Sequence, residues 1–264
     1  MKIVAINGSH RGKKGYTQFL IDKLFEGAGN TGAQCETIVL AEHEINRCQG
    51  CRICQAQNNY LKCIYDGKDD VADLFDIMRS ADILIYATPI YIFHMTGLMK
   101  TFLDRITSTA DSSITTLSDS GLFFHHIDKK LNSKPFVLLT CQDNFEFETS
   151  KNVVSYFQTF SKFFDAPLIG ILVRKSGSLI GHGKNKQKEM NYPKIILAHK
   201  AFIQAGEELA KNRKISNKTQ KITNQNIINM PKIIEYILKL KFIRKNRMIM
   251  GKIFRQAIIH IKDK

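Results

Sequence analysis

The run Ile83-Leu84-Ile85-Tyr86-Ala87 is continuously apolar and passes at once into Thr88-Pro89. An unbroken run of that length, closed by proline, reads as a β-strand covered on both faces, as strands of a helix-flanked parallel sheet are. Four more short runs share this reading: Lys2–Ile6, Glu36–Ala41, Phe136–Thr140 and Ile169–Val173. Between them lie stretches with helical patterning near Thr17–Gly27, Asp70–Arg79, Gly97–Arg105, Ser150–Phe164 and Pro193–Asn212. This alternation predicts an α/β fold built on a doubly wound, five-stranded parallel sheet. In such sheets, ligands bind beyond the carboxyl ends of the strands, where the strand order reverses.

The first strand runs directly into Asn7-Gly8-Ser9-His10-Arg11-Gly12-Lys13-Lys14-Gly15-Tyr16-Thr17 and then a helix. A loop of this composition lets backbone N–H groups and a helix N-terminus face an anion. The hydroxyls of Ser9 and Thr17 can add hydrogen bonds, and Arg11 can add charge. The spacing matches neither G-x-x-x-x-G-K-[ST] nor G-x-G-x-x-G. A solvated turn with helix-capping residues is the structural alternative.

The third strand continues as Ala87-Thr88-Pro89-Ile90-Tyr91-Ile92-Phe93-His94-Met95-Thr96-Gly97-Leu98-Met99-Lys100-Thr101-Phe102-Leu103-Asp104-Arg105. Together the two loops resemble the NADPH-dependent FMN reductase branch of the flavodoxin-like superfamily, whose members often read S/T-P-x-Y and then K-x-F-x-D-R. The resemblance extends over roughly residues 1–210, with His10 standing where relatives commonly carry proline. It implies a flavodoxin-like sheet of order 2-1-3-4-5 with FMN across the exits of its first and third strands. Ser9, Arg11, Gly15, Tyr16 and Thr17 would surround the phosphate. Thr88, Pro89, Ile90 and Tyr91 would line the flavin, and the loop opening with Thr140 and Cys141 would close over it, with a small buried structural role favoured for Cys141 itself. For Asp104-Arg105 the expectation is an ion pair or helix-end contact within the fold.

Cysteines recur as Cys48-x-x-Cys51-x-x-Cys54, with Cys63 following after eight further residues. This spacing resembles cubane ferredoxin ligation and the compact cysteine motif of the iron–sulfur flavoproteins. The resemblance implies a [4Fe-4S] cluster, with free thiols or a structural zinc as alternatives. Asp69 and Asp70 are expected as helix capping and first-turn charge. His125 and His126, in a long stretch before the fourth strand, are expected on a substrate pocket wall, with a surface aromatic segment or a dimer contact as the alternative.

The net charge of +15 is unevenly spread. Residues 211–264 hold 15 Lys and Arg against Glu235 and Asp263, whereas the other 210 residues hold 24 basic and 22 acidic side chains. Residues 1–212 are therefore expected as the FMN-binding domain and 213–264 as a basic extension, with a linker over Asn212–Met230. Apolar stripes follow, Ile233, Ile237 and Leu240, then Met250, Phe254, Ala257, Ile258 and Ile261. Packing on the main domain or a partner subunit is expected, and an anionic membrane surface is the alternative. No nucleic-acid motif accompanies the charge, so no nucleic-acid partner is expected. No apolar run reaches the ~18 residues of a membrane span and no signal-peptide pattern opens the chain, so the expected location is cytoplasmic.

The resemblance implies an NAD(P)H-dependent flavin oxidoreductase, its reductant NAD(P)H and its acceptor a small molecule or protein. No side chain need act as acid or base, so no catalytic residue is assigned. A non-enzymatic electron carrier between protein partners is the alternative. Relatives are commonly dimers or tetramers, which implies a homo-oligomer.

Overall fold

A computed structural model of the chain describes residues 1–177, 193–227, 236–237, 240–246, 248–249 and 251–252. Its main sheet contains β1 (Lys2–Asn7), β2 (Gln34–Val39), β3 (Ile83–Pro89), β6 (Phe136–Cys141) and β7 (Leu168–Arg174). All four pairings are parallel and the order is β2-β1-β3-β6-β7, which is 2-1-3-4-5 when only the sheet strands are counted. The flavodoxin-like expectation is met, and the ends of the five expected strands fall within two residues of those observed. A separate antiparallel hairpin, β4 (Ala110–Leu117) with β5 (Phe123–Ile127), lies between β3 and β6.

Side chains alternate across each central strand. Ile3, Ala5, Ile83, Ile85 and Ala87 face one layer, formed by α1 (Tyr16–Gly29) and a later helix over Pro193–Asn212. Val4, Ile6, Leu84 and Tyr86 face the other, formed by α2 (Val71–Ser80), α3 (Gly97–Asp104) and a helix over Lys151–Phe163. Numbered in order after the short α4 (Lys129–Asn132), these last two helices are α5 (Lys151–Phe163) and α6 (Pro193–Asn212). Hence Ile83–Ala87 can be apolar throughout: every side chain meets a helix.

The layer of α1 and α6 is unusually close. A Cβ on Gly27 would lie 1.8 Å from the Ile203 carbonyl oxygen, and one on Gly206 would lie 1.9 Å from that of Leu24. Both helices thus touch backbone to backbone, which only glycine permits.

The stretch expected as a linker is instead part of the packed structure as far as residue 227. Ile215 is fully buried and its side chain fills the space beside Gly170, where a Cβ would come within 2.7 Å. α7 (Asn217–Thr223) runs along the outer edge of β7. There the Ile171 N–H donates to Gln220 Oε1 at 2.8 Å and the Val173 N–H to Asn224 Oδ1 at 2.7 Å, while Asn224 Nδ2 returns a bond to the Ile171 carbonyl. Side-chain amides therefore take the place of a sixth strand and cover the edge. Arg174, fully buried, donates to the Thr223 carbonyl at 2.8 Å, at the end of α7 where cations are favoured.

Beyond 227, a short helix spans Lys241–Lys245. The stripe residues Ile233, Met250, Phe254, Ala257, Ile258 and Ile261 lie outside the described residues. No described helix is long and apolar enough to cross a membrane.

Gly206→Ala tests the close crossing. Helix propensity alone favours alanine by about 1 kcal/mol, whereas a backbone clash of this size costs about 1–3 kcal/mol or more. The expected result is a lower urea midpoint with an unchanged slope; an unchanged or raised midpoint would show that α1 and α6 do not meet as described.

Candidate functional site

The exits of β1 and β3 are stitched together. The Gly8 N–H donates to the Ala87 carbonyl at 2.8 Å, and Thr96 Oγ1 donates to the Gly8 carbonyl at 2.6 Å. That same hydroxyl caps α3 by accepting the Met99 N–H at 3.1 Å, and the Thr96 N–H donates to Thr88 Oγ1 at 3.2 Å. A Cβ on Gly8 would lie 2.8 Å from Met99 Cβ, so the approach of the two exits requires glycine there.

The loop after β1 is shaped by its own polar groups. Asn7 donates to Gln18 Oε1 at 2.8 Å and accepts the Ser9 N–H at 2.9 Å. Ser9 Oγ accepts the Arg11 N–H at 3.2 Å, and Gly12 turns the chain with a positive φ of 51°. Gly15 stands at the N-cap of α1, where no side chain caps the helix. A helix start without a side-chain cap favours an anion, as a phosphate site needs. A Cβ on Gly15 would lie 2.9 Å from Ser9 Oγ and intrude on this loop.

Ser9, Tyr16 and Thr17 are buried in or behind the loop, and Arg11 is exposed at its rim. The Tyr16 ring packs against Phe19 and its hydroxyl lies 3.3 Å from His199 Nε2 of α6. Asn7, Gln18 and Thr96 were not singled out from the sequence. An asparagine ahead of Gly-Ser at a strand end is an Asx-turn signal that could have found the first.

Thr88 and Pro89 are buried at the end of β3, Ile90 is partly buried, and Tyr91 is exposed. Tyr91 and His94 exchange backbone hydrogen bonds of 2.9 and 3.1 Å around Ile92 and Phe93. Both central residues have positive φ, 46° and 64°, in a turn usually made by Asn-Gly. Holding an isoleucine there costs about 1–2 kcal/mol. At the end of β6, Thr140 is buried and its hydroxyl has no partner; the same holds for Gln142 Oε1. Thr17 Oγ1 lies 3.2 Å from Cys141 Sγ, and burial pushes the Cys141 thiol up to about 11, so it stays protonated at neutral pH. The expected residues of β1, β3 and β6 thus gather at one end of adjacent strands, with unpartnered polar atoms among them.

A second feature lies at the far end of α3. Cys48, Cys51, Cys54 and Cys63 line one cavity of about 290 Å³, with Tyr65 and Arg105 in its wall. His125 of β5 lines it too, in the wall of the cysteine cavity rather than of the expected substrate pocket; the hairpin that carries it was not expected. All four cysteines are free thiols. Among the described residues, no three Cys, His, Asp or Glu side chains converge closely enough to hold one metal ion. A shared cavity at the small end of the range for ligand sites suits a compact group with a body of its own.

The cavity is framed by an ion pair. Arg105 and Asp69 are buried side chains, 1% and 0% exposed, and their charged ends are in direct contact. Arg105 Nη1 also donates to the Asn46 carbonyl at 3.0 Å, and Asp69 accepts the N–H groups of Asn46 and Val71. Asp69, just ahead of the N-cap, thus bonds the first N–H of α2, whereas the N-cap residue Asp70 makes no cap bond and accepts the Glu44 N–H at 2.8 Å; Arg105 pairs with Asp69 rather than with Asp104, which binds Lys100. Burial opposes the Asp69 carboxylate, but the bonds from Arg105, Asn46 and Val71 outweigh it and hold its carboxyl below the usual range. On the opposite side Gln55 donates to the Ala110 carbonyl at 2.7 Å and accepts the Ser112 N–H at 2.8 Å, tying the cysteine loop to β4.

Residues 1–145, which include both strand exits, the cysteine loop and α3, match the family model described as NADPH-dependent FMN reductase. The chain is 36% identical over 105 residues to an iron–sulfur flavoprotein of Archaeoglobus fulgidus, a stretch covering 40% of this chain and 48% of that one. It is 31% identical over 105 residues to an iron–sulfur flavoprotein of Methanosarcina thermophila, covering 40% and 52%. It thus spans about half the length of the curated relatives it matches. In fold it is similar to an FMN-dependent NADH-azoreductase from Bacillus anthracis solved with FMN, with 13% identity and a TM-score of 0.53 over 80% of this chain and 100% of that one.

Asp69→Asn should destabilise the protein by about 3 kcal/mol at pH 7, because it leaves a buried guanidinium without its counter-charge. Since the folded Asp69 carboxyl titrates low, its stabilisation is present above the unfolded carboxyl value of about 3.9 and lost as pH falls through the folded value. Wild type should therefore lose stability below about pH 4 more steeply than Asp69→Asn in chemical denaturation. Parallel pH profiles would refute the assignment.

Proposed function

The chain belongs to the NADPH-dependent FMN reductase family, and on that premise we propose that it is an FMN-dependent NAD(P)H oxidoreductase. The observation that carries this reading is the stitch between the exits of β1 and β3, which sets an uncapped helix N-terminus beside the Thr88–Tyr91 segment. Ser9, Arg11, Gly15, Tyr16 and Thr17 hold the FMN phosphate, in part through backbone N–H groups. Thr88, Pro89, Ile90 and Tyr91 lie along the flavin, and Thr140 and Cys141 close it from the β6 side.

Cys48, Cys51, Cys54 and Cys63 hold a [4Fe-4S] cluster in this proposal, supported by the shared cavity and by the iron–sulfur flavoproteins that the chain resembles. The redox chemistry is that of the cofactors: hydride acceptance from NAD(P)H at the flavin and one-electron exchange at the cluster. The protein's own part is placement. The first turn of α1 fixes the anion, buried Cys141 remains a neutral thiol beside Thr17, and the strained turn at Ile92–Phe93 holds exposed apolar side chains next to the site. The acceptor is a small molecule or protein, the location cytoplasmic, and the active form a homo-oligomer. The role of the residues after 227 as a basic extension belongs to the same proposal.

Adding FMN to the purified protein should quench flavin fluorescence, and anaerobic NADH or NADPH should then bleach the bound flavin. Absence of FMN binding would sink the reading; binding without bleaching by either nucleotide would make the protein an electron carrier. Gly15→Ala should weaken FMN at least tenfold, about 1.4 kcal/mol, because its methyl group displaces Ser9 in the phosphate loop. Unchanged affinity would move the phosphate elsewhere.

A further inference from the structure

The geometry points to Gln55 as a positioning residue for the group held by the four cysteines: its side-chain amide, fixed by β4, donates to Cys54 Sγ and so sets that group's reduction potential. This rests on the four-cysteine reading above. Gln55 and Cys54 both line the cavity, and both are partly buried. Gln55 Nε2 donates to Cys54 Sγ at 3.6 Å and to the Ala110 carbonyl at 2.7 Å. An amide nitrogen carries two hydrogens, so it can serve both acceptors.

The direction of this amide follows from its partners. Gln55 Oε1 accepts the Ser112 N–H at 2.8 Å. Turned over, the NH2 group would face that N–H and the oxygen would face the Ala110 carbonyl, so both contacts would be repulsive. The orientation that satisfies β4 is therefore the one that sets Nε2, and not Oε1, beside the sulfur. The anchor lies outside the cysteine loop. Ala110 opens β4 and pairs with Ile127 of β5, and the preceding Thr109 is held by Asn132 Nδ2 at 2.9 Å. On the loop side, Arg52 adopts a positive φ of 60° and a single 3-10 turn follows over Ile53–Gln55, its Gln55 N–H closing on the Arg52 carbonyl at 2.9 Å. A thiol sulfur accepts hydrogen bonds weakly, whereas cysteine binds metal as a thiolate, and bonds to charged acceptors are about twice as strong as neutral ones. Reduction makes the sulfurs more negative, so an N–H held against one of them favours the reduced state and raises the potential.

The test loads the full chain anaerobically with iron(II) and sulfide and titrates its midpoint potential by visible and EPR spectroscopy. Gln55→Leu should shift the reduced-to-oxidised ratio at least threefold toward oxidised, a midpoint lower by about 28 mV at about 59 mV per tenfold for one electron. Gln55→Glu, which can still accept the Ser112 N–H but has no N–H and adds negative charge, should lower it further. Tyr60→Phe also releases the loop from β4, by removing the hydroxyl that binds Asp111, but leaves the sulfur its donor and should not move the midpoint. An unmoved midpoint in Gln55→Leu, or an equal fall in Tyr60→Phe, overturns the inference and leaves the cluster reading standing. If wild type takes up no iron and sulfide, the cluster reading fails and the inference with it. Should neither Gln55 variant load, Gln49→Met protein with ¹⁵N only in its glutamine side-chain amides decides, because Gln49 is the other glutamine of the cavity wall. Pulsed EPR of the reduced group should show a ¹⁵N coupling, and its absence overturns the inference.

Discussion

Thr96 donates its hydroxyl hydrogen to the Gly8 carbonyl, accepts the Met99 N–H on the same oxygen, and offers its backbone N–H to Thr88. Three elements, the exits of β1 and β3 and the start of α3, are fixed by one fully buried side chain. Were it free, the loop after β1 could drift from the segment after β3 and the proposed flavin site would lose one wall. Gly8 makes the arrangement sterically possible, since any side chain there would strike Met99.

α3 carries this constraint across the molecule. Its eight residues rise about 12 Å, from Thr96 beside the strand exits to Arg105 at the cysteine cavity. The Asp69 ion pair at its far end anchors the cysteine loop through Asn46 and the start of α2. Both proposed cofactor sites are indexed to the same rigid element.

Much of this was legible in the residues, for identifiable reasons. Continuous apolar runs such as Ile83–Ala87 can only be satisfied by helices on both faces, so the sheet and its helices were recoverable together. The Thr88–Tyr91 and Ser9–Thr17 segments announced themselves through proline, glycine and hydroxyl placement. The β4–β5 hairpin did not, because Asp111-Ser112-Ser113 and His125-His126 dilute its alternation and its ladder carries an irregularity between Asp111 and Thr115. The Asp69–Arg105 pair was also hidden: both residues have nearer charged neighbours in sequence, and only the return of α3 onto the cysteine loop brings them together. The segment after Asn212 was misread for a different reason. Its Asn and Gln residues look like solvated linker, yet Gln220 and Asn224 spend their amides on the backbone of β7.

That use of amides binds the extent of the folded unit to residues that look dispensable. A chain cut after the long helix over Pro193–Asn212 would keep every strand but lose Ile215, Gln220 and Asn224 at a stroke. The outermost strand would then present bare N–H and C=O groups beside an emptied apolar slot at Gly170, an invitation to strand-to-strand self-association. The globular body therefore continues at least as far as Ile227, whose side chain is buried, and does not end with the helix over Pro193–Asn212.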